Sequence, residues 1–432
     1  MRIAVVGSGI AGLAAAHTLG PDHEVVVFEA ADRLGGHANT VTVDDPEVGP
    51  IGVDTGFIVH NDRNYPNLVR LFDELDVPVR DTEMSFGVVD RGPGSPTEGF
   101  SYRATNLDTV FADRRNLWNR SMWRMLADVV RFYRHANRFL DGDPDPVLSL
   151  AEFLAHHGYS RDFVQLHLLP MGAAVWSADP NTFAEFPAAS LLRFLQNHGL
   201  LGIGDRPQWR TVVGGSRVYV DLLAERFTSP TVGGEIRTGS PVQRVERRPD
   251  GGVSITTPTG TETFDHVVLA CHSDQALRML ADPTEPEHEI LGAIGYQPNT
   301  ATLHTDTSLL PDQRKAWAAW NYERRSTDQR QATLTYDMTV LQGLPGSTRY
   351  LVSLNSADAI APDTVLASFE YAHPVFDGPA VAAQARHAEI DGVDRVSYCG
   401  AYWRYGFHED GIASALESCR RIADLEPAGV AA

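Results

Sequence analysis

The sequence predicts an α/β protein: a Rossmann-like dinucleotide-binding domain into which an α+β substrate domain is inserted. Three observations predict it. A strand, a glycine-rich turn and a helix open the chain, a second strand, glycine and helix close it, and a long aromatic-rich middle lies between them. The 432 residues, 43% of them hydrophobic, are enough for two or three domains with sizeable cores.

The opening passage is Arg2-Ile3-Ala4-Val5-Val6, then Gly7-Ser8-Gly9-Ile10-Ala11-Gly12, then a helical Leu13–Leu19. Gly7 permits the tight turn, Gly9 lets backbone approach a pyrophosphate, and Gly12 lets the helix pack closely on the strand. The N–H groups at the helix start, at Ile10 and Ala11, face the phosphates. A second strand, Glu24–Phe28, ends at Glu29, 17 residues beyond the last glycine, where a carboxylate accepts hydrogen bonds from a ribose diol. Val212-Val213-Gly214-Gly215-Ser216 precedes a further helix. Residues 241–246 and 253–256 alternate as a β-hairpin does, and Asp265–Ala270 reads as a buried parallel strand. Near the end, Val396–Tyr402 reads as a strand stopping at Gly400, and a loop leads into a helix over 413–425.

The stretch Ala30-Ala31-Asp32-Arg33-Leu34-Gly35-Gly36-His37, with Thr40 and Asp54-Thr55-Gly56-Phe57, resembles the two-dinucleotide-binding flavoproteins. These include flavin amine oxidases, protoporphyrinogen oxidases and carotenoid desaturases. His37 stands where the family usually has arginine, which removes a fixed positive charge beside the pyrophosphate. The resemblance implies non-covalent FAD, with Glu29, Ala30, Arg33, Gly35, Gly36, His37, Thr55, Gly56 and Phe57 along it, Val242 at the adenine and Ala270 near the pyrophosphate. It assigns Gly400, Gly406, Phe407, His408, Glu409, Gly411 and Ile412 to the C-terminal FAD motif. Phe407 is then the aromatic beside the flavin, or His408 if the match slips by one residue. Cys399 is expected to be a small buried hydrophobe. The implied FAD domain is discontinuous, 1–75, 205–285 and 390–432, and the substrate or cap domain comprises 76–204 and 286–389.

Within the substrate half, Trp320, Tyr322 and Tyr336, with Phe407, are the expected substrate-lining aromatics, and 334–336 and 350–354 are expected antiparallel strands. His304, His373 and His408 are the candidate proton acceptors. The family's amine oxidases generally hold a lysine that hydrogen-bonds a water at flavin N5. Here the only lysine is Lys315, in a polar stretch that reads as an exposed loop. A helical stretch over 113–140 carries seven arginines against Asp113 and Asp128. It reads either as a core helix with a solvated face or as a contact for anionic lipid or an acidic substrate.

A net charge of −20 opposes nucleic-acid binding. Three scattered cysteines suggest a reducing cytoplasm, and neither a leader, nor a membrane span, nor a metal motif is expected. The runs Asn64-Tyr65-Pro66-Asn67-Leu68, Trp320-Asn321-Tyr322, His373-Pro374-Val375-Phe376 and Gly406–Gly411 are similar to a bacterial group of that superfamily. Genes of that group often accompany those of cyclopropane fatty-acid synthases. The resemblance implies an FAD-dependent dehydrogenase or desaturase removing hydride from a C–H of an apolar substrate, a fatty-acyl or lipid chain, at most peripheral to the membrane. The alternatives are an amine oxidase producing hydrogen peroxide and a non-catalytic flavin-binding redox protein. The electron acceptor stays open.

Overall fold

Strands from distant parts of the chain build the first sheet, in the order Glu235–Arg237, Glu24–Phe28, Arg2–Val6, His266–Leu269, Val396–Tyr398, all parallel. This is a computed structural model, which describes residues 1–425 apart from 96, 177–178, 180–181, 203, 205–206, 327–328 and 330. Alternation along the first strand explains the layers on either side. Ile3 and Val5 pack beneath the helices Ile10–Leu19, Arg217–Thr228 and His408–Asp424. Ala4 and Val6 face the opposite way, toward Val245, Ile255 and Phe264 of a three-stranded antiparallel sheet.

The second sheet has seven strands, ordered Val365–Val375, Gly295–His304, Leu351–Leu354, Leu334–Asp337, Trp320–Arg324, Phe86–Asp90, Ser101–Arg103. The expected antiparallel pair is present, with Leu334 opposite Leu354. Tyr371 lies opposite Asn299 and His373 opposite Gln297, so these side chains share one face at one end of the sheet.

Two boundaries differ from the sequence reading. The basic stretch is not one helix: a 3-10 turn, Arg114–Trp118, precedes the α-helix Arg120–Asp141. Asp113 accepts the Arg115 N–H and Asn119 accepts the Ser121 N–H, so two side-chain caps restart the chain where continuous helix was expected. The last helix begins at His408 rather than 413, because the Asp410 carboxylate accepts the Phe407 N–H and closes the first turn early.

Candidate active site

The glycine-rich turn lies at the carboxyl ends of the parallel strands, where such sheets bind ligands. Gly7 has φ +105°, and a Cβ there would stand 2.8 Å from the Ala270 carbonyl oxygen. A Cβ on Gly12 would stand 1.9 Å from the Gly7 oxygen. Gly9 caps the helix Ile10–Leu19 without any side-chain bond, and nothing lies within 4 Å of the Cβ it lacks. The helix therefore ends in uncapped N–H groups over open space, between buried Ile10 and Ala11 and the Gly35–Gly36 turn that bridges back to Gly9. Gly411 of the last helix packs on Ile10, so a second helix N-terminus adjoins the first. This cradle fits the pyrophosphate of a dinucleotide.

The neighbouring expected residues build the same rim. Glu29 accepts from the Ser8 N–H at 2.8 Å and the Ser8 hydroxyl at 2.5 Å, and holds the Ala31 N–H through its other oxygen; exposed Ala30 follows it. Arg33 donates to the carbonyls of Gly36 at 2.9 Å and Ala38 at 3.3 Å, bracing the turn. Gly56 is held against the His37 carbonyl, with only 1.8 Å for a Cβ. The Ala270 N–H continues the sheet to the Val6 carbonyl, and Val242 packs at the edge of the core beneath the antiparallel sheet. Gly400 is tied to the last helix by the Ser414 hydroxyl, Gly406 takes φ +93° against the Phe376 ring, and Ile412 is buried in the core. Beneath the rim, buried Asp54 accepts from Thr40, Ser216 and Gln342, joining three segments; burial pushes its carboxyl up to about 6.

The face of the second sheet meets this rim through histidines. The His37 ring lies 5.0 Å from Tyr371, 5.5 Å from His373 and 5.8 Å from His272, and His272 stacks on Tyr296 at 4.4 Å. Burial first, then the other histidines, holds His37 well below its usual range, and burial lowers His373 to about 4. The Asn299 amide donates to His373 Nδ1 at 2.9 Å while its oxygen accepts from Asn355, so the network assigns the His373 proton to Nε2. Beside it the Tyr371 hydroxyl bonds Thr55 Oγ1 at 2.9 Å and receives the Asn39 amide at 3.0 Å. The glycine-rich rim and the seven-stranded sheet are thus joined by neutral, hydrogen-bonded groups.

Several expected site residues stand elsewhere. His304 is at the opposite end of its strand from Asn299, fully buried and bonded to the Ser353 hydroxyl at 2.8 Å, because the strand carries it seven residues past the Gln297–His373 pair. His408 turns into the cofactor-domain core, stacked on Phe57 at 3.7 Å and bonded to the Tyr219 hydroxyl, while burial lowers it to about 3. The other match for the aromatic, Phe407, is stacked on Phe194 at 5.2 Å and packs against both the first-sheet core and the helical cluster around Phe376. Glu409 caps another helix, accepting the backbone N–H groups of Asn67 and Leu68 at the start of Pro66–Glu74. Tyr322 is buried against the helices with Met122, Met125 and Leu166, in the interior of the substrate half.

Trp320 and Tyr336 stand edge to face at 5.2 Å and border both core clusters of the substrate sheet. The buried Trp320 Nε1 has no hydrogen-bond partner. Lys315 is 63% exposed and paired with Asp108 at the surface. An apolar cleft of about 350 Å³ is lined by Trp176, Leu191, Phe376 and Tyr405 among others. Cys399 is fully buried, and burial raises its thiol well above the usual range. Among the described residues no group of three or more His, Cys, Asp and Glu side chains is arranged to hold a metal ion, and no helix is long and apolar enough to cross a membrane.

Sequence reasoning missed His272, Asn299 and Asn39. His272 had a usable signal, since it lies two residues beyond Ala270. Asn299 had none, because only strand register brings it opposite Tyr371.

A family model described as flavin containing amine oxidoreductase matches residues 10–369. AofH of Mycobacterium tuberculosis, named for a flavin-containing monoamine oxidase, is 25% identical over 372 residues, covering 83% of this chain and 75% of its own. Among solved structures, cyclohexylamine oxidase from Brevibacterium oxydans superposes with TM-score 0.69 at 17% identity, over 98% of each chain. The CLA-producing fatty acid isomerase from P. acnes superposes with TM-score 0.66 at 16% identity, over 99% of each.

Proposed function

Because the chain belongs to the family of flavin-containing amine oxidoreductases, and is accordingly an FAD-dependent oxidoreductase, we propose that its substrate is a fatty-acyl or lipid chain, oxidised at a C–H rather than at an amine. The observation that carries this reading is the position of Lys315, the one lysine in the chain, which is paired with Asp108 at the surface. The side chains assigned to the substrate are aromatic: Trp320 and Tyr336, packed edge to face, and Phe407, stacked on Phe194. Side chains of that kind hold an apolar chain by burial. That a relative of the same fold is a fatty acid isomerase fits such a substrate.

Bound FAD supplies the two-electron acceptor. The protein's part is to hold the chain, exclude water and carry away the proton. His373 does not accept that proton, since Asn299 occupies Nδ1 and its Nε2 is already protonated. The Tyr371–Thr55 hydroxyl pair is the polar route that remains beside it.

The test is anaerobic bleaching of the flavin band in the holoprotein, with oleic acid and dioleoylphosphatidylglycerol in one series and benzylamine, cyclohexylamine and putrescine in the other. Bleaching by the acyl compounds and not by the amines is expected. Bleaching by an amine, or by neither series, overturns the reading.

A further inference from the structure

The basic stretch has a structural sequel that the proposed reaction does not use. On the Arg120–Asp141 helix, Met122, Met125, Phe132 and Ala136 face inward, and the opposite face carries Arg120, Arg124, Arg131, Arg134 and Arg138. Arg124 pairs with Asp162 and Arg131 with Asp128, whereas Arg120, Arg134 and Arg138 have no ion-pair partner among the described residues. At 1.5 Å per residue, Arg120 to Arg138 spans about 27 Å in a nearly straight row.

At the helix start this row meets a group of exposed apolar side chains. Trp118 is 89% exposed, Leu107 74%, Trp123 52% and Leu117 41%. They lie close together: Trp123 donates from Nε1 to the Leu117 carbonyl and packs on Phe111, one turn along from Leu107, and Trp118 follows Leu117 at the end of the 3-10 turn. Arg114 and Lys315 flank it, sharing Asp108.

We propose that this face, the Trp118 patch together with the arginine row, is a docking surface for an anionic lipid bilayer. Charge argues for the occupant, because in a protein of net −20 this helix face carries five arginines, three of them without an ion-pair partner among the described residues, and so offers an anionic surface local attraction against the overall repulsion. Shape argues for it too, since a straight row of about 27 Å fits a plane better than a pocket. Tryptophan and leucine ringed by arginine suit the headgroup boundary, where an amphipathic indole sits partly in each phase. The inward face of the same helix packs, through Met122 and Met125, on the cluster bordered by Trp320 and Tyr336. Docking there would set the substrate domain on the membrane whether or not an acyl chain is the substrate.

The test is co-sedimentation of the full-length holoprotein with dioleoylphosphatidylglycerol or dioleoylphosphatidylcholine vesicles, which reads binding without turnover. Binding to the phosphatidylglycerol vesicles alone, weakened by salt, is expected. Each arginine near an anionic surface is worth about fivefold in affinity, so Arg120→Gln/Arg134→Gln/Arg138→Gln should bind about 100-fold more weakly. Trp118→Ser should also weaken binding, and Trp118→Phe should restore much of it; retained flavin absorbance certifies that each variant is folded. Equal binding to both lipids, none to either, or unchanged binding by the triple variant overturns the proposal. So does a dimer that Trp118→Ser converts to monomer without any vesicle binding, because the patch would then be a face between two copies of the chain.

Discussion

Replacing Glu409 by alanine separates two roles for a residue that sequence resemblance assigns to the cofactor and the structure assigns to a helix cap. Its carboxylate accepts the Leu68 N–H at 3.0 Å, the Asn67 N–H at 3.1 Å and the Asn67 side-chain amide at 2.6 Å. Tyr65, at the N-cap position of that helix, provides no side-chain bond of its own. Losing an N-cap costs about 1–2 kcal/mol. Because Leu68 is fully buried, its orphaned N–H adds to the penalty, and a total of about 2–3 kcal/mol is expected. Glu409→Gln keeps an acceptor oxygen and should lose about half of that. Urea unfolding of the flavin-free protein, followed by tryptophan fluorescence, reads the cost without the stabilisation that bound FAD adds. FAD affinity, from quenching of flavin fluorescence, should change by less than the stability does. An alanine variant with unaltered apoprotein stability and FAD affinity reduced tenfold would refute the capping role.

Acid should destabilise the histidine cluster. His373 is held at about 4 by burial, below its ordinary 6.5, so its contribution is complete above 6.5 and is lost as pH falls toward 4; His37 and His272 are displaced in the same direction. Flavin release followed by fluorescence should therefore rise as pH drops through that window, and His373→Asn, which cannot take up the proton, should flatten the limb; identical limbs would sink the idea. Gly12→Ala places a methyl group 1.9 Å from the Gly7 carbonyl oxygen and 3.2 Å from the Ala270 Cβ, so the purified variant should contain little or no flavin. A full flavin complement by absorbance would show that this turn relaxes without loss of the cradle.

What the sequence made legible was local or tied to the parallel sheet. Gly7, Gly9 and Gly12 announce strand, turn and helix; the steric reasons for Gly7 and Gly12 reappear as distances to Ala270 and Gly7, while Gly9 opens onto the space where backbone can approach a phosphate. The two antiparallel strands around 334–336 and 350–354 were also legible from alternation, though not their register. Positions that depend on register or on a distant partner were not. Two strands decide that Asn299 faces Tyr371 while His304 ends up beside Ser353. Glu409 reads as a cofactor residue along the chain, yet it reaches more than 300 positions back to cap the Pro66–Glu74 helix. The break at Asn119 was present in the sequence as a cap residue, but a strong apolar period on both sides concealed it.

Histidine in place of the family's arginine at position 37 gives these observations a common electrostatic logic. A fixed guanidinium there would lie within a few ångströms of Tyr371, His373 and His272, on the side where the substrate sheet closes over the rim. The neutral ring instead packs against all three, and no charge is buried at the junction. The cradle's pull on an anion then comes from the uncapped N–H groups at Ile10, fixed in direction by the parallel sheet beneath them, since the last helix already carries Glu409 and Asp410 in its first turn. At this junction the attraction for an anion therefore rests on backbone dipoles rather than on a side-chain cation, while the row of arginines on the Arg120–Asp141 helix stands on an exposed face away from it.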